Sequence, residues 1–283
     1  MFDTLHRWLL FVLCRYCQGW WGMWRLDLSR RIMDYRFSTA GPLLVRTKWG
    51  LPIEVRKNDL IGHVLYFFGD IERKLRAAAA AELSPGDAAL DIGANIGAVS
   101  LFLGSRVGRK GRVFCIEPLA ENFAMLRRNL ERVDFGGIFC AEHCALGSEE
   151  KTVSLHFHEQ MDNSGTVSLL DDTGDAVQPV VMRRLDTLWE EWGRPPLRFV
   201  KMDVEGYEYE VMRGAERLLR EAPPKVWVVE FHWEHLSRIK NGVRRQWDIF
   251  LQHGYEPFSI ATGGKMTQPP EAHCDVLSRL KAV

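Results

Sequence analysis

The sequence has no excess of either charge: Lys plus Arg and Asp plus Glu number 37 each, for a formal net charge of zero. Nucleic-acid-binding domains usually carry a basic excess, so no nucleic-acid partner is expected. Long apolar runs are missing too. Trp8 to Cys14 is apolar, but Arg15 and Gln18 interrupt it, well short of the roughly 20 residues a spanning helix needs. No small-residue cleavage site of the A-x-A type follows, which argues against a signal peptide. The cysteines form no disulfide framework. Cys115 lies inside an apolar run and Cys140 and Cys144 flank another, as expected of small buried residues. Cys14 and Cys17 have CxxC spacing, but no second CxxC or His pair completes a zinc site. A reducing cytoplasm is the simplest expectation. No fixed-period repeat is present, which excludes a solenoid.

What remains is an ordinary globular composition, with 46% hydrophobic and 26% charged residues in a chain of 283. That length suits one large α/β domain with an appendage. The expected division is a helical N-terminal extension over residues 1–42 and a catalytic domain over 43–283. The extension is expected to pack on the domain or on a second subunit. Its Arg7, Arg15, Arg25, Arg30 and Arg31, mixed with Trp20, Trp21 and Trp24, would also suit peripheral contact with a membrane surface.

From Leu43 the pattern turns strand-like. Leu43 to Thr47 and Leu51 to Val55 flank Lys48-Trp49-Gly50 and read as a hairpin. A helix is predicted over Ile71 to Leu83, stopped by Ser84-Pro85-Gly86-Asp87. Short apolar strands then alternate with helices. Strands are predicted at Ala88 to Ile92, Arg112 to Glu117, about Ile138 to Cys140, Leu197 to Met202 and Lys225 to Phe231. Helices are predicted from Gly97 to about Val107, at Pro118 to Val133, Leu185 to Trp192, Tyr207 to Glu221 and Val243 to His253. Further β-like pieces fall at Thr152 to His158, Val177 to Met182, Tyr255 to Ile260 and Asp275 to Leu280. Alternation of this kind implies a mainly parallel sheet covered on both faces.

Four segments close these strands and carry the chemistry. Asp91 to Gly97 (DIGANIG) is a glycine-rich strand-to-helix turn, able to bend tightly and to admit a ligand close to the backbone. Its spacing is GxxxG, not the GxGxxG that seats a pyrophosphate on a helix N-terminus, which disfavours a dinucleotide. Glu117 closes the next strand, where a carboxylate can accept two charge-assisted bonds from ribose hydroxyls; capping the helix that Pro118 starts is the alternative. Lys201 to Gly206 (KMDVEG) sets Asp203 and Glu205 at the same edge, Glu205 being suited to cap the following helix. Glu230-Phe231-His232 adds a polar contact or a base. His156 and His158 share a strand face, and His232, His235 and Glu230 could be arranged as ligands. None has the HExxH spacing, so no metal is expected.

Together these segments resemble the FkbM-type methyltransferases. Asp91 to Gly97, Ile116-Glu117-Pro118, Asn129-Leu130, Ala145-Leu146-Gly147, Leu185 to Leu188, Lys201 to Glu208 and Gly214-Ala215 occur in that family's order, over roughly Gly69 to Phe231. The resemblance implies the class I methyltransferase, Rossmann-like α/β fold: a seven-stranded, mainly parallel sheet with helices on both faces and a reversed C-terminal β-hairpin. It implies S-adenosylmethionine as cofactor and O-methylation of a hydroxyl on a sugar, glycan or natural product. Asp91, Gly93, Ala94, Asn95 and Gly97 would cradle the cofactor. Glu117 and Pro118 would lie at its ribose, Cys144 and Ala145 at its adenine. Asp203, which also borders the cofactor, Glu205 and His232 would be the catalytic residues. The loop Asp162 to Ser168 would cover the acceptor. Tyr207, where many members have a small residue, and the Trp-rich start depart from the family. Two other readings compete: an NAD-dependent oxidoreductase, weakened by the missing GxGxxG, and a non-catalytic Rossmann-like binding module, weakened by the intact acidic and glycine positions.

Overall fold

The computed structural model describes residues 41–57, 59–157 and 176–281. The N-terminal extension, the Cys14–Cys17 pair, His158 and the Asp162–Ser168 loop lie outside the described residues. Those described group into two compact units, 41–71 and 72–281.

The first unit holds the expected hairpin. Leu43–Arg46 (β1) pairs antiparallel with Pro52–Val55 (β2). The Thr47 hydroxyl donates to Leu51 O and accepts from Leu51 N, and Gly50 turns the chain at φ 88°. A helix that the apolar pattern alone does not announce follows at Leu60–Phe68 (α1). Its signals are at its ends: Asp59 accepts from Ile61 N, and Gly69 closes it in the left-handed region.

The second unit is the α/β body. Its elements run Arg73–Glu82 (α2), Ala88–Ile92 (β3), Ala98–Val107 (α3), Arg112–Ile116 (β4), Ala120–Glu131 (α4), Phe139–Glu142 (β5) and Ala145–Leu146 (β6). Lys151–Phe157 (β7), Ala176–Arg183 (β8), Leu185–Glu191 (α5), Leu197–Met202 (β9), Glu208–Arg213 (α6) and Glu216–Glu221 (α7) come next. Val226–Phe231 (β10), Trp233–Arg238 (α8), Gly242–Gln252 (α9), Tyr255–Ser259 (β11) and Cys274–Leu280 (β12) complete it.

Seven strands form one sheet in the order β11-β12-β10-β9-β3-β4-β5. Neighbours from β10 to β5 are parallel, while β12 runs antiparallel to both β10 and β11. Every residue of β3 is buried, and so are nearly all of β9 and β10. Successive side chains on a strand point to opposite faces, so both faces of the sheet are covered, as expected. The chain winds from β3 toward β5 on one side and returns to β9 and β10 on the other. The crevice at the carboxyl ends of β3 and β9 is therefore the switch point where α/β sheets bind ligands.

The β-like pieces predicted around Thr152 and Val177 do not join this sheet. They are β7 and β8, paired antiparallel in a small separate sheet with β6. The single helix predicted over Tyr207 to Glu221 is two. Gly214 passes so close to Gly147 that an added Cβ would lie 2.1 Å from its carbonyl oxygen. Asp186 then caps the second piece, accepting from Arg217 N and Leu218 N. Pro118 is not at a helix start either. Helix α4 begins at Ala120 after Leu119, so Pro118 lies in the turn from β4.

Candidate active site

Parallel register decides which residues share an edge. Ile92 pairs with Ile116 and Met202, and Met202 with Val229. The residues one step beyond, Gly93, Glu117 and Asp203, consequently leave the sheet side by side, next to Glu230, which is still within β10 and pairs with Asp275.

The turn after β3 is tied to β4 by Gly93 N and Ala94 N, both donating to Ile116 O. Gly93, Asn95 and Gly97 all have positive φ, at 76°, 50° and 90°. The expectation of a tight turn holds, and the structure shows what the missing side chains make room for. A Cβ on Gly93 would lie 1.9 Å from the Asp203 carbonyl oxygen, and one on Gly97 would lie 2.7 Å from Leu126 Cδ1. Both glycines accommodate the chain itself. Gly93→Ala is expected to destabilise the fold by more than about 3 kcal/mol, since backbone strain adds to a clash with an immovable carbonyl. Gly97→Ala, facing a flexible methyl, is expected to cost about 1–2 kcal/mol. Thermal melts that rank the two the other way would contradict this account.

Glu117 is buried, not a solvated helix cap. Its Oε2 accepts from Asn95 N at 2.8 Å, and its Oε1 accepts from Leu119 N at 2.9 Å and Asn122 Nδ2 at 3.5 Å. It therefore joins the glycine turn to the turn that leads into α4. Burial pushes its carboxyl up to about 7, against the lowering effect of the Leu119 and Asn95 N–H groups. Asp91 is also fully buried and accepts from Ser100 Oγ at 2.6 Å. Burial raises its pKa, opposed by Lys201 and by the Ser100 bond.

Lys201 is the charge that holds this edge together, and motif reading assigned it no role. Its Nζ donates to Gly93 O at 2.7 Å and stands 3.3 Å from Asp203 Oδ2 and 3.7 Å from Asp91 Oδ1. Burial works against its ammonium, but the Asp203 and Asp91 carboxylates outweigh burial and raise its pKa. Burial likewise acts to raise Asp203, yet Lys201 and a hydrogen bond from Glu230 bring it below the usual carboxylate range. Glu230 is pushed up to about 11 by burial and the Asp203 charge, so it is the protonated partner of that pair. A lysine near the end of the strand LRFVKM, next to apolar Val200 and Met202, was the signal available in the sequence.

Glu205 does not cap a helix. It sits in the left-handed region at φ 54°, and it is Glu208, the first residue of α6, that accepts from Val204 N and Gly206 N of the preceding turn. Glu205 Oε2 instead lies 3.2 Å from His232 Nε2 and 3.5 Å from His235 Nδ1. Burial and the Asp203 charge push Glu205 up to about 8. Strand β10 ends at Phe231, and His232 opens α8; burial and the neighbouring His235 and His273 lower its pKa. Cys144 and Ala145 are both buried, in two different apolar clusters. Tyr207 and Tyr209 line a cavity of about 410 Å³ with Ser148, Arg213 and Arg245, and the Arg245 guanidinium stacks 4.1 Å over the Tyr209 ring.

Residues 91–257 match the Methyltransferase FkbM domain family. Methyltransferase 1 of Beauveria bassiana is 29% identical over 145 residues, covering 45% of this chain and 57% of that protein. The 31-O-demethyl-FK506 methyltransferase FkbM of Streptomyces tacrolimicus is 29% identical over 165 residues, covering 48% of this chain and 62% of its own. The chain thus spans less than two thirds of either relative. A SAM-dependent O-methyltransferase of known structure from Thermotoga maritima superposes with a TM-score of 0.42 at 12% identity, over 88% of this chain and 82% of that one. The family match extends over more than half of the sequence, and the protein belongs to the FkbM methyltransferases, class I enzymes that use S-adenosylmethionine.

Proposed function

We propose that this methyltransferase methylates a hydroxyl oxygen of a sugar, glycan or natural product. The cofactor would lie between the Gly93 turn, Glu117 and Asp203. One observation carries the reading: the register that brings Gly93, Glu117, Asp203 and Glu230 to one edge at the switch point. The donor set suits S-adenosylmethionine. Glu117 Oε2, with Asn95 N, keeps a lone pair for a ribose hydroxyl, and Oε1, with Leu119 N, would take a second in place of the long 3.5 Å contact from Asn122 Nδ2. Asp91 and Asp203, with only Lys201 between them, favour an ammonium and a sulfonium. The same carboxylates would repel the pyrophosphate of NAD. Cys144 and Ala145 would border the adenine.

S-adenosylmethionine, when bound, supplies a methyl on a sulfonium: an O–C bond forms as C–S breaks, the sulfur becomes a neutral thioether, and the hydroxyl proton leaves. The protein has mainly to align acceptor and donor, which is worth about 7–11 kcal/mol when the geometry is good. Help with the proton is worth about 10²–10⁴-fold. Asp203 would face the transfer centre, and Glu205 and His232 the incoming hydroxyl. The cavity beside Tyr207 and Tyr209 has the size of an acceptor subsite. The free thiols of Cys115, Cys140, Cys144 and Cys274 support a reducing, cytoplasmic setting.

The test uses purified protein with a tritiated methyl donor and a panel of sugars, polyols and hydroxylated macrocycles. Stabilisation by S-adenosylhomocysteine but not NAD, with label in a base-stable ether, is the expected result. Label released as methanol by base marks an ester, and that or label in an amine would overturn the hydroxyl assignment.

A further inference from the structure

We propose that Glu205, His232 and His235 form a site for one divalent transition-metal cation, contrary to the sequence expectation of no metal. The three side chains each bring one ligand atom into a cluster whose members all lie within 4.8 Å of one another. Metal–nitrogen and metal–oxygen bonds of about 2.0–2.2 Å imply ligand-to-ligand separations of roughly 3.0–3.5 Å in octahedral to tetrahedral spheres. The Glu205 Oε2 separations from His232 Nε2 and His235 Nδ1, 3.2 and 3.5 Å, match that spacing.

The local architecture gathers these groups. His232 is the N-cap of α8 and His235 lies three residues on, within its first turn. Their rings stack at 4.0 Å with planes 17° apart, and each places a nitrogen near the same carboxylate oxygen, so a turn of one ring brings both lone pairs onto a shared ion. Two imidazoles at one carboxylate oxygen form the arrangement that a coordination sphere requires, although the same oxygen could also accept from two N–H donors. His232 Nδ1 is buried and has no hydrogen-bond partner among the described residues.

The surroundings are rich in carboxyl groups. Asp203, Glu205 and Glu230 form an overlapping group of potential ligands, and Glu208 acts on Glu205 and Glu230 electrostatically. Lys201 is the cation acting on Glu205. His273 Nε2 lies 3.1 Å from Glu230 Oε1, well placed to orient that carboxyl. Two imidazoles and one carboxylate, with positions left open, suit zinc, iron, cobalt or manganese and disfavour magnesium or calcium, which prefer all-oxygen spheres.

The site stands on its geometry; its role rests on the O-methyltransferase reading above. There the open positions would receive the acceptor hydroxyl, hold it in line and favour loss of its proton to water. Glu205 and His232 would then serve as ligands and not as proton acceptors.

The experiment is calorimetric titration of Zn²⁺ and of Mn²⁺ into EDTA-stripped full-length protein, with S-adenosylhomocysteine titrated separately. One ion per chain is expected. His235→Ala and Glu205→Gln should each weaken metal binding by roughly 100-fold while the S-adenosylhomocysteine affinity stays within threefold. His253→Gln, whose residue follows α9 at the opposite edge of the sheet, should leave metal binding unchanged. Co²⁺ should give visible d–d bands that both ligand variants abolish, and melting curves show whether each variant folds. Absence of metal binding, or equal affinity in folded His235→Ala and Glu205→Gln, overturns the site. S-adenosylhomocysteine binding without metal binding sinks this inference alone, and metal binding without S-adenosylhomocysteine binding sinks the methyltransferase reading alone.

Discussion

Lys201→Met is expected to destabilise the protein by about 3–5 kcal/mol, enough to lower its melting temperature by roughly 10 °C. Methionine keeps most of the aliphatic stem, so packing is largely retained and the loss is electrostatic. The ammonium donates to Gly93 O and stands between Asp91 and Asp203, all at the end of β3 and β9. Removing it leaves two carboxylates together in a site where burial already raises Asp91. They can avoid the penalty only by taking up protons. A carboxyl whose pKa is raised in the folded state contributes stability at low pH and loses it as pH rises through the folded value. The deficit of the variant should therefore be smaller at pH 5 than at pH 8. Adding Asp203→Asn to Lys201→Met should recover part of the loss, a coupling that a double-mutant cycle measures. A variant as stable as the parent across that range would mean Lys201 does not compensate these charges.

Glu117→Ala is expected to weaken S-adenosylhomocysteine binding by roughly 10²–10⁴-fold. Two charge-assisted hydrogen bonds to ribose hydroxyls are lost, each worth about 1.5–3 kcal/mol. The carboxylate is also a brace between Asn95 N and Leu119 N, so the free protein should melt earlier. Burial pushes this carboxyl up to about 7, and the two consequences of pH run in opposite directions. The stability it contributes to the free protein is present below the ordinary carboxylate pKa and is lost as pH rises through about 7. The ligand needs the ionised form, so its affinity should rise over the same interval. Calorimetry at pH 6, 7 and 8 reads the second trend, and Glu117→Gln should abolish it. Unaltered affinity in Glu117→Ala would remove Glu117 from the ribose.

Strands β3, β4, β9 and β10 were legible because each is a short apolar run ending at a turn signal. Helices α1 and α8 were not, since nine and six residues are too few to display a helical period clearly. His235 is grouped in the sequence with His232 and Glu230 as a possible ligand, but not with Glu205. Its partner Glu205 is 30 positions away in the sequence, on the far side of β10.

Alternation of strand and helix was sufficient by itself to imply a parallel sheet. In such a sheet the residues closing the strands must share an edge, so Gly93, Glu117 and Asp203 could be grouped before any coordinates. Local spacing reports the period of the backbone and nothing about which distant side chains meet. Only the folded chain decided that Lys201 neutralises Asp91 and Asp203, that Glu208 and not Glu205 satisfies the N–H groups of the KMDVEG turn, and that Glu205 faces His232 and His235. Each of these follows from charge and hydrogen-bond satisfaction inside a dry, crowded edge, and those conditions come into being when the sheet closes over it.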